Sequence, residues 1–525
     1  MEKYIDLGID FGAENIVIIA IGYDNKGRSD YKLINLESSG SIKNYIGKKK
    51  DNSYEIGNNA KIAYMYKNQN NDYDWVSGRY KSYIYENSIP DFAIRPDELL
   101  KIGVTEIINK LENFDFSPLL SGSIRNIAIG IPQEWDISKR QLYKEVLSIW
   151  KHGNISLLTE PVAATISAYK RGIADLVNNV IMILDIGAST FDISFSQYTE
   201  NKSLNIYKTN YRSDFAGHYF DIIFTAFTLV NENNKIALND VIDRVSKIKL
   251  RSIDDYINYL FKYQDKYSTL LLEIENVKEN YLNEITKFNK KKLIDVGNKH
   301  LIVNKQIYQD ALSYYSSKIV KDLKTVIQNF KSNEKYSGEI FPFLCGGASS
   351  LIGLEKSLKD KLDIEEGQRL FSIIKEGYSN KIDTTIATGL SYYAQDNSLV
   401  NKKLNCSIYT KFFVDQDKEE FCLFTHNCDY PLKEFKKFSE FINDSHSFEY
   451  HGNDSGIIEI PIIIKYSDRL EEPIEKTITA SIMNSSIGDL FDIHFNIDLE
   501  DFLIIKFINL SQQKEFITRV SLEHN

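Results

Sequence analysis

With 525 residues, 43% of them apolar and 26% charged, the chain has the make-up of a soluble globular protein and is too long for one compact core. Two or more domains are therefore expected, and fibrous and disordered classes are excluded. A formal net charge of -10 argues against a protein whose main work is coating nucleic acid.

In chain order, an apolar run from Tyr4 to Ile9 leads into Asp10-Phe11-Gly12, and a second run follows from Ile16 to Ile21. This pattern predicts a hairpin with an acid and a glycine at its tip. Pro96-Asp97-Glu98 opens a helix to about Phe114, with proline in the first turn and acids near the positive end. Asp136 or Ser138 caps another that reaches Lys151. Glu160-Pro161 starts a third, in which Ala163 and Ala164 allow close packing. The hairpin pattern then returns: Val180 to Leu184, Asp185-Ile186-Gly187, and Phe191 to Phe195. Helices are expected from Leu270 to Leu282 and from Gln306 to Phe330, and Ile340 to Cys345 reads as a strand before Gly346-Gly347 and a further helix.

Strands alternate with amphipathic helices up to Gln395, as an α/β domain requires. Residues 396–405 turn polar and read as a linker. Beyond them the period changes to that of strands, at Ile457 to Tyr466, Ile478 to Met483, Phe491 to Ile497 and Phe502 to Leu510. Residues 406–525 are thus expected to form a separate β-sandwich. Four cysteines, Cys345, Cys406, Cys422 and Cys428, match neither a disulfide framework nor a zinc spacing, which fits a reducing compartment. The amino terminus, with Glu2, Asp6 and Asp10, is unlike a secretory signal, and no apolar run approaches the roughly 20 residues that cross a bilayer. A cytoplasmic protein without membrane or nucleic-acid partners is the expectation.

The repeated acid-glycine tip suggests phosphate chemistry. Glycine lets backbone N–H groups approach a polyphosphate, and the adjacent carboxylate can hold hydrated magnesium. Five segments stand in order: Asp10 to Asn15, Ile131-Pro132 through Arg140, Thr159-Glu160-Pro161-Val162-Ala163-Ala164, Asp185 through Asp192, and Cys345 through Ser349. That ordered set resembles the nucleotide-binding domain of the 70-kDa heat-shock chaperones, within the actin-like ATPase superfamily. The resemblance implies an α/β actin-like (ribonuclease H-like) two-lobed ATPase domain followed by a smaller all-β sandwich.

It also implies roles for residues. Asp10 and Asp185 resemble the carboxylates that order water around magnesium, with Gly12, Ala13, Glu14 and Asn15, and Gly187, Ala188, Ser189 and Thr190, as the two phosphate loops. Lys81 is similar to the lysine that reaches the γ-phosphate and orients the attacking water, Arg79 standing nearby. Glu160 resembles an acid beside the metal waters, although a plain helix cap would also explain it. Pro132 and Arg140 resemble an interdomain relay. Gly346-Gly347 and Asp383 resemble the adenosine-side turn and acid. Glu275 and Lys278 look like the pair that frames ribose and base, or else a surface ion pair at helical spacing.

Several positions depart from the family. Ala13 and Glu14 stand where two threonines are usual, removing hydroxyl donors. An inward Glu14 carboxylate about 4 Å from a phosphate oxygen would cost about 4 kcal/mol per unit-charge pair at an effective dielectric of about 20, nearly a thousandfold. Ala188 and Ser189 replace glycines in the second loop, while Thr190 and Asp192 remain. Ser156, where a basic residue is usual, and the polar stretch Asn397 to Asn401 count against the standard J-domain co-chaperone cycle. The chain ends at Asn525 without a helical lid, so bound peptide should leave quickly.

The expectation is an ATP hydrolase, slow or altered, that binds ATP or ADP with Mg2+ and uses nucleotide state to regulate polypeptide binding by a lidless β-domain. Its rivals are a pseudo-ATPase scaffold that recruits a dedicated protein partner, and a kinase or filament-forming member of the superfamily.

Overall fold

A computed structural model describes residues 3–23, 29–37, 40–65, 72–78, 94–132, 135, 137–150, 153–170, 179–198, 204–207, 211–213, 215–231, 252–264, 266–296, 299–334, 336–362, 370–372, 383–396, 399–400, 402–403, 406–414, 417–425, 429–430, 435–442, 444, 446–450, 457–466, 473–482, 485–497 and 502–522. The chain divides into two compact units: Met1–Gln197 with Tyr207–Gln395, and Tyr198–Ile206 with Asp396–Asn525.

Both hairpins form in the first unit. Tyr4–Phe11 pairs antiparallel with Asn15–Tyr23, placing Asp10 opposite Val17 and Phe11 opposite Ile16. On its other side it runs parallel to Ser123–Ile131, which is parallel to Asn154–Thr159. A second sheet repeats this plan. Val180–Ile186 pairs antiparallel with Phe191–Tyr198, Asp185 opposite Asp192, and parallel with Ile340–Cys345, which is parallel to Phe371–Ser372. The two central strands are covered on both faces, so their sequences read as nearly unbroken apolar runs; Ile181, Met182, Ile183 and Leu184 are all fully buried. Parallel neighbours require long crossovers, and helices supply them.

Each sheet has its own core. Helices Pro96–Glu112 and Ile137–Leu147 contribute Leu99, Leu100, Val104, Tyr143 and Leu147 to the first. Gly217–Val230 and the 29-residue helix Lys305–Asn333 fill the second with Phe220, Phe224, Tyr308 and Tyr315. Glu160–Lys170 and Thr385–Gln395 cross in backbone contact. A Cβ at Gly389 would lie 1.7 Å from Ala163 O, and one at Gly8 would lie 2.2 Å from Ala387 O. Gly389 is therefore needed for this crossing, and Ala163 and Ala164, read from the sequence as allowing close packing, are both fully buried. A three-stranded sheet of Tyr54–Ile56, Tyr45–Lys49 and Tyr73–Gly78 packs against the short helix Asn58–Met65.

In the second unit, Cys406–Val414, Asp417–Phe424, Ile457–Tyr466 and Ile474–Ser481 form one antiparallel sheet. Leu490–Ile497, Phe502–Asn509 and Lys514–Ser521 form another, and residues of both sheets meet in one core. Buried Asp492 organises an edge of it, accepting from the Ser439 backbone N–H at 3.2 Å and from the hydroxyls of Ser439 at 2.8 Å and Ser447 at 2.5 Å. Burial alone would raise its carboxyl, but these donors and His494 hold it below the usual range. Leu399 and Val400, inside the polar stretch read as a linker, are buried. Cys345, Cys406 and Cys422 are free thiols. Among the described residues, no helix is long and apolar enough to cross a membrane.

Candidate functional site

The two sheets each end a central strand in an aspartate, and these ends converge. Asp185 is buried, and its carboxyl is pushed well above the usual range, first by burial and then by the negative field of Glu160, Asp192, Asp10 and Asp383. Five acids thus lie within one another's electrostatic reach in the first unit. The turn after Ile340–Cys345 closes on them. Gly346 has φ of +86°, and a Cβ there would stand 2.3 Å from Asp185 Oδ1, so only glycine fits. Its N–H donates to Asp383 Oδ2, while Asp383 Oδ1 accepts from Thr385 N at 2.8 Å, capping the helix that follows. Around Gly347 there is open space.

The second loop is braced from below. Gly187 N donates to Thr190 O at 2.9 Å, closing the hairpin. Gly217 N then donates to Gly187 O at 2.9 Å and His218 N to Ala188 O at 2.8 Å, so the start of helix Gly217–Val230 holds the loop. A Cβ on Gly217 would lie 3.1 Å from Ala348 Cβ, which brings the third turn to the same place. His218 itself bonds Gln264 at 2.9 Å, a structural contact. Glu160 begins its helix with its Cγ beside Gly130, at the end of the strand that leads to Pro132. Arg140 is buried on helix Ile137–Leu147. Lys81 lies outside the described residues.

The first loop is built differently. Asn44 Nδ2 donates to Gly12 O at 2.7 Å and Asn44 N to Glu14 O at 2.8 Å, while Asn15 Oδ1 accepts from Ser41 Oγ at 3.3 Å. Glu14 is buried rather than extended into solvent. Its Oε1 stands 3.1 Å from Lys61 Nζ and 3.7 Å from Lys43 Nζ, and Tyr45 OH donates to Oε2 at 3.4 Å. Lys61 is shared with Glu275 at 3.1 Å and Glu279 at 3.6 Å, and Lys43 pairs with Glu279 at 3.1 Å. Burial alone would lower the Lys61 ammonium, but Glu14, Glu275 and Glu279 push it up.

Glu275 and Lys278, three residues apart on helix Ser268–Asn280, therefore divide between two partners. Glu275 meets Lys61, and half-buried Lys278 meets Asp221 at 2.7 Å. Neither is the surface ion pair that helical spacing alone would allow. Burial would lower Lys278, but Asp221 first and Glu275 next raise it. Sequence reading passed over Lys43, Lys61, Asp221 and Glu279. Glu14 and Lys61 are 47 positions apart and Lys61 and Glu275 are 214, so no local spacing marks them.

Comparison with known proteins locates this arrangement among its relatives. The family model described as "Hsp70 protein" matches residues 31–327. The chain is 27% identical over 157 residues to "Chaperone protein HscA homolog" of Colwellia psychrerythraea, covering 29% of this chain and 24% of that one. It is 25% identical over 206 residues to "Chaperone protein dnaK1" of Nostoc sp., covering 36% and 29%. It is also 25% identical over 231 residues to "Chaperone protein HscA" of Buchnera aphidicola, covering 41% and 44%. The aligned stretches span less than half the length of these relatives. The family match, by contrast, takes in more than half of this chain, and the protein belongs to the Hsp70 family.

Proposed function

We propose that this protein binds ATP and ADP with magnesium between two lobes of an actin-like domain, one built on each sheet. On this reading it hydrolyses ATP slowly and uses nucleotide state to bias polypeptide binding by its β-sandwich. The observation that carries the reading is the convergence of Asp10, Glu160, Asp185, Asp192 and Asp383 beside two glycine-tipped hairpins. A carboxyl raised by burial and by four neighbouring acids is a place where a divalent cation is favoured, so the residues fit magnesium.

Asp10 and Asp185 would hold the hydrated ion, which supplies positive charge to the phosphate oxygens. Glu160 would orient its waters. Gly12 and Gly187 keep the two hairpin tips tight, since a Cβ would meet Asn15 O at 2.7 Å and Thr190 O at 3.2 Å; Thr190 Oγ1 would donate to a phosphate, and the open space at Gly347 would receive the adenosine side. Hydrolysis is in-line attack of water on the γ-phosphorus, giving ADP and phosphate. Lobe rotation would couple these states to the sandwich, whose ligand is an unfolded polypeptide or a dedicated protein partner.

Slow turnover follows from the first loop, in which Ala13 has no hydroxyl and the Glu14 side chain is committed to Lys61 and Lys43. The same pair of residues favours, as second reading, a nucleotide-binding scaffold without turnover. Calorimetry of ATP with and without magnesium, together with phosphate release at saturating ATP, tests both. Magnesium-dependent binding with slow release supports the first reading, and binding without release supports the second. No heat with any adenine nucleotide refutes the site.

A further inference from the structure

The loop Gly12–Asn15 contains one ionisable side chain, and it is an acid. A carboxylate among incoming phosphates is unfavourable by simple Coulomb repulsion, yet Glu14 is buried there. The structure accounts for its tolerance: two lysines from distant segments, Lys43 and Lys61, neutralise it at 3.7 Å and 3.1 Å. Those lysines are not spare. Both also serve Glu279, and Lys61 serves Glu275, while Lys278 adds positive charge near Glu275 and Glu279, so three carboxylates within 4.8 Å of one another share these ammonium groups. The lysines supply the positive charge that a metal ion would otherwise bring, and they are committed to these carboxylates.

We propose that Glu14 is a resident anion of the first phosphate loop and a specificity-determining residue that makes the site prefer a nucleoside diphosphate over a triphosphate. The inference rests on the nucleotide-site reading above. Glu14 draws on two lysines that would otherwise add positive charge beside the loop. The added charge of a triphosphate therefore encounters a loop whose countercharge is already spent on carboxylates. A diphosphate carries less charge and is opposed less. Because the lysines cancel most of the Glu14 field, the discrimination is about tenfold rather than the thousandfold of an unpaired carboxylate.

The test is calorimetric titration of the full chain, with magnesium, by ADP and by a non-hydrolysable ATP analogue. The wild type, Glu14→Gln and Glu14→Asp are compared at about 50 mM and about 500 mM salt. Wild type should bind ADP about tenfold more tightly than the triphosphate, with the ratio shrinking at high salt. Glu14→Gln, which keeps the shape but removes the charge, should bring the ratio to within about twofold of unity and abolish its salt dependence, while Glu14→Asp should retain the preference. Equal affinities in the wild type, or a ratio untouched by Glu14→Gln, overturn the proposal while leaving the nucleotide site standing. No binding of either nucleotide by the folded wild type overturns the site reading and the proposal together.

Discussion

Replacing Lys61 by methionine removes the hub of the buried ionic cluster. Its ammonium lies 3.1 Å from both Glu14 and Glu275, and each such contact is a gross attraction of about 5 kcal/mol at an effective dielectric of about 20. Desolvation of the ions offsets much of this, so deleting one partner of a buried pair costs about 3–5 kcal/mol net. Methionine preserves the aliphatic packing but leaves Glu14, Glu275 and Glu279 mutually within 4.8 Å without their shared central cation. The pH dependence separates charge from packing. In the wild type, burial raises the Glu279 carboxyl but Lys43 and Lys61 more than compensate and hold it below 4.5. Its contribution is therefore present above that pH and lost as pH falls through the lowered value. Lys61→Met removes one of the cations that hold the Glu279 carboxyl down, so the variant loses that stabilisation at neutral pH and the loss shrinks as pH falls. Urea unfolding of both proteins between about pH 7 and about pH 4.5 should show a gap of about 3–5 kcal/mol that narrows on acidification. A gap below about 1 kcal/mol, or one independent of pH, refutes the electrostatic account.

Three further outcomes are expected. Asp185→Asn should stabilise the nucleotide-free protein at neutral pH, because a carboxyl raised in the folded state takes stability away as pH climbs above its unfolded value; thermal melting should show this gain vanishing toward about pH 4 while magnesium-dependent nucleotide binding is lost. Gly346→Ala places a Cβ 2.3 Å from Asp185 Oδ1 at a φ of +86°, and should cost about 1–3 kcal/mol in urea unfolding and weaken magnesium nucleotide binding in calorimetry. A wild-type stability in that variant would refute the stated geometry. Gly389→Ala drives a Cβ to 1.7 Å from Ala163 O, and a melting temperature lowered by several degrees is expected, with about 1–3 kcal/mol lost.

Much of the fold was legible in the chain because it rests on local pattern. The two hairpins, the strand Ile340–Cys345, the helix at Pro96 and the strands Ile457–Tyr466 and Phe502–Asn509 each announce themselves by a period of apolar residues bounded by glycine, proline or polar turns. Repetition of the acid-glycine tip at Asp10 and Asp185 also marked, in sequence alone, two loops that tertiary structure brings toward shared acids. Glu14 was readable as a departure but not as a partnered one. Its cost depends on Lys43, Lys61 and Glu279, which reach it across tens to hundreds of residues and leave no trace in spacing. The same holds for Lys278, whose neighbour at helical spacing is Glu275 but whose carboxylate is Asp221. Backbone and burial preferences are short-range and are written along the chain. Charge pairing in a buried cluster is set by where side chains end after the sheets, crossovers and helices have packed, and only the folded molecule decides it.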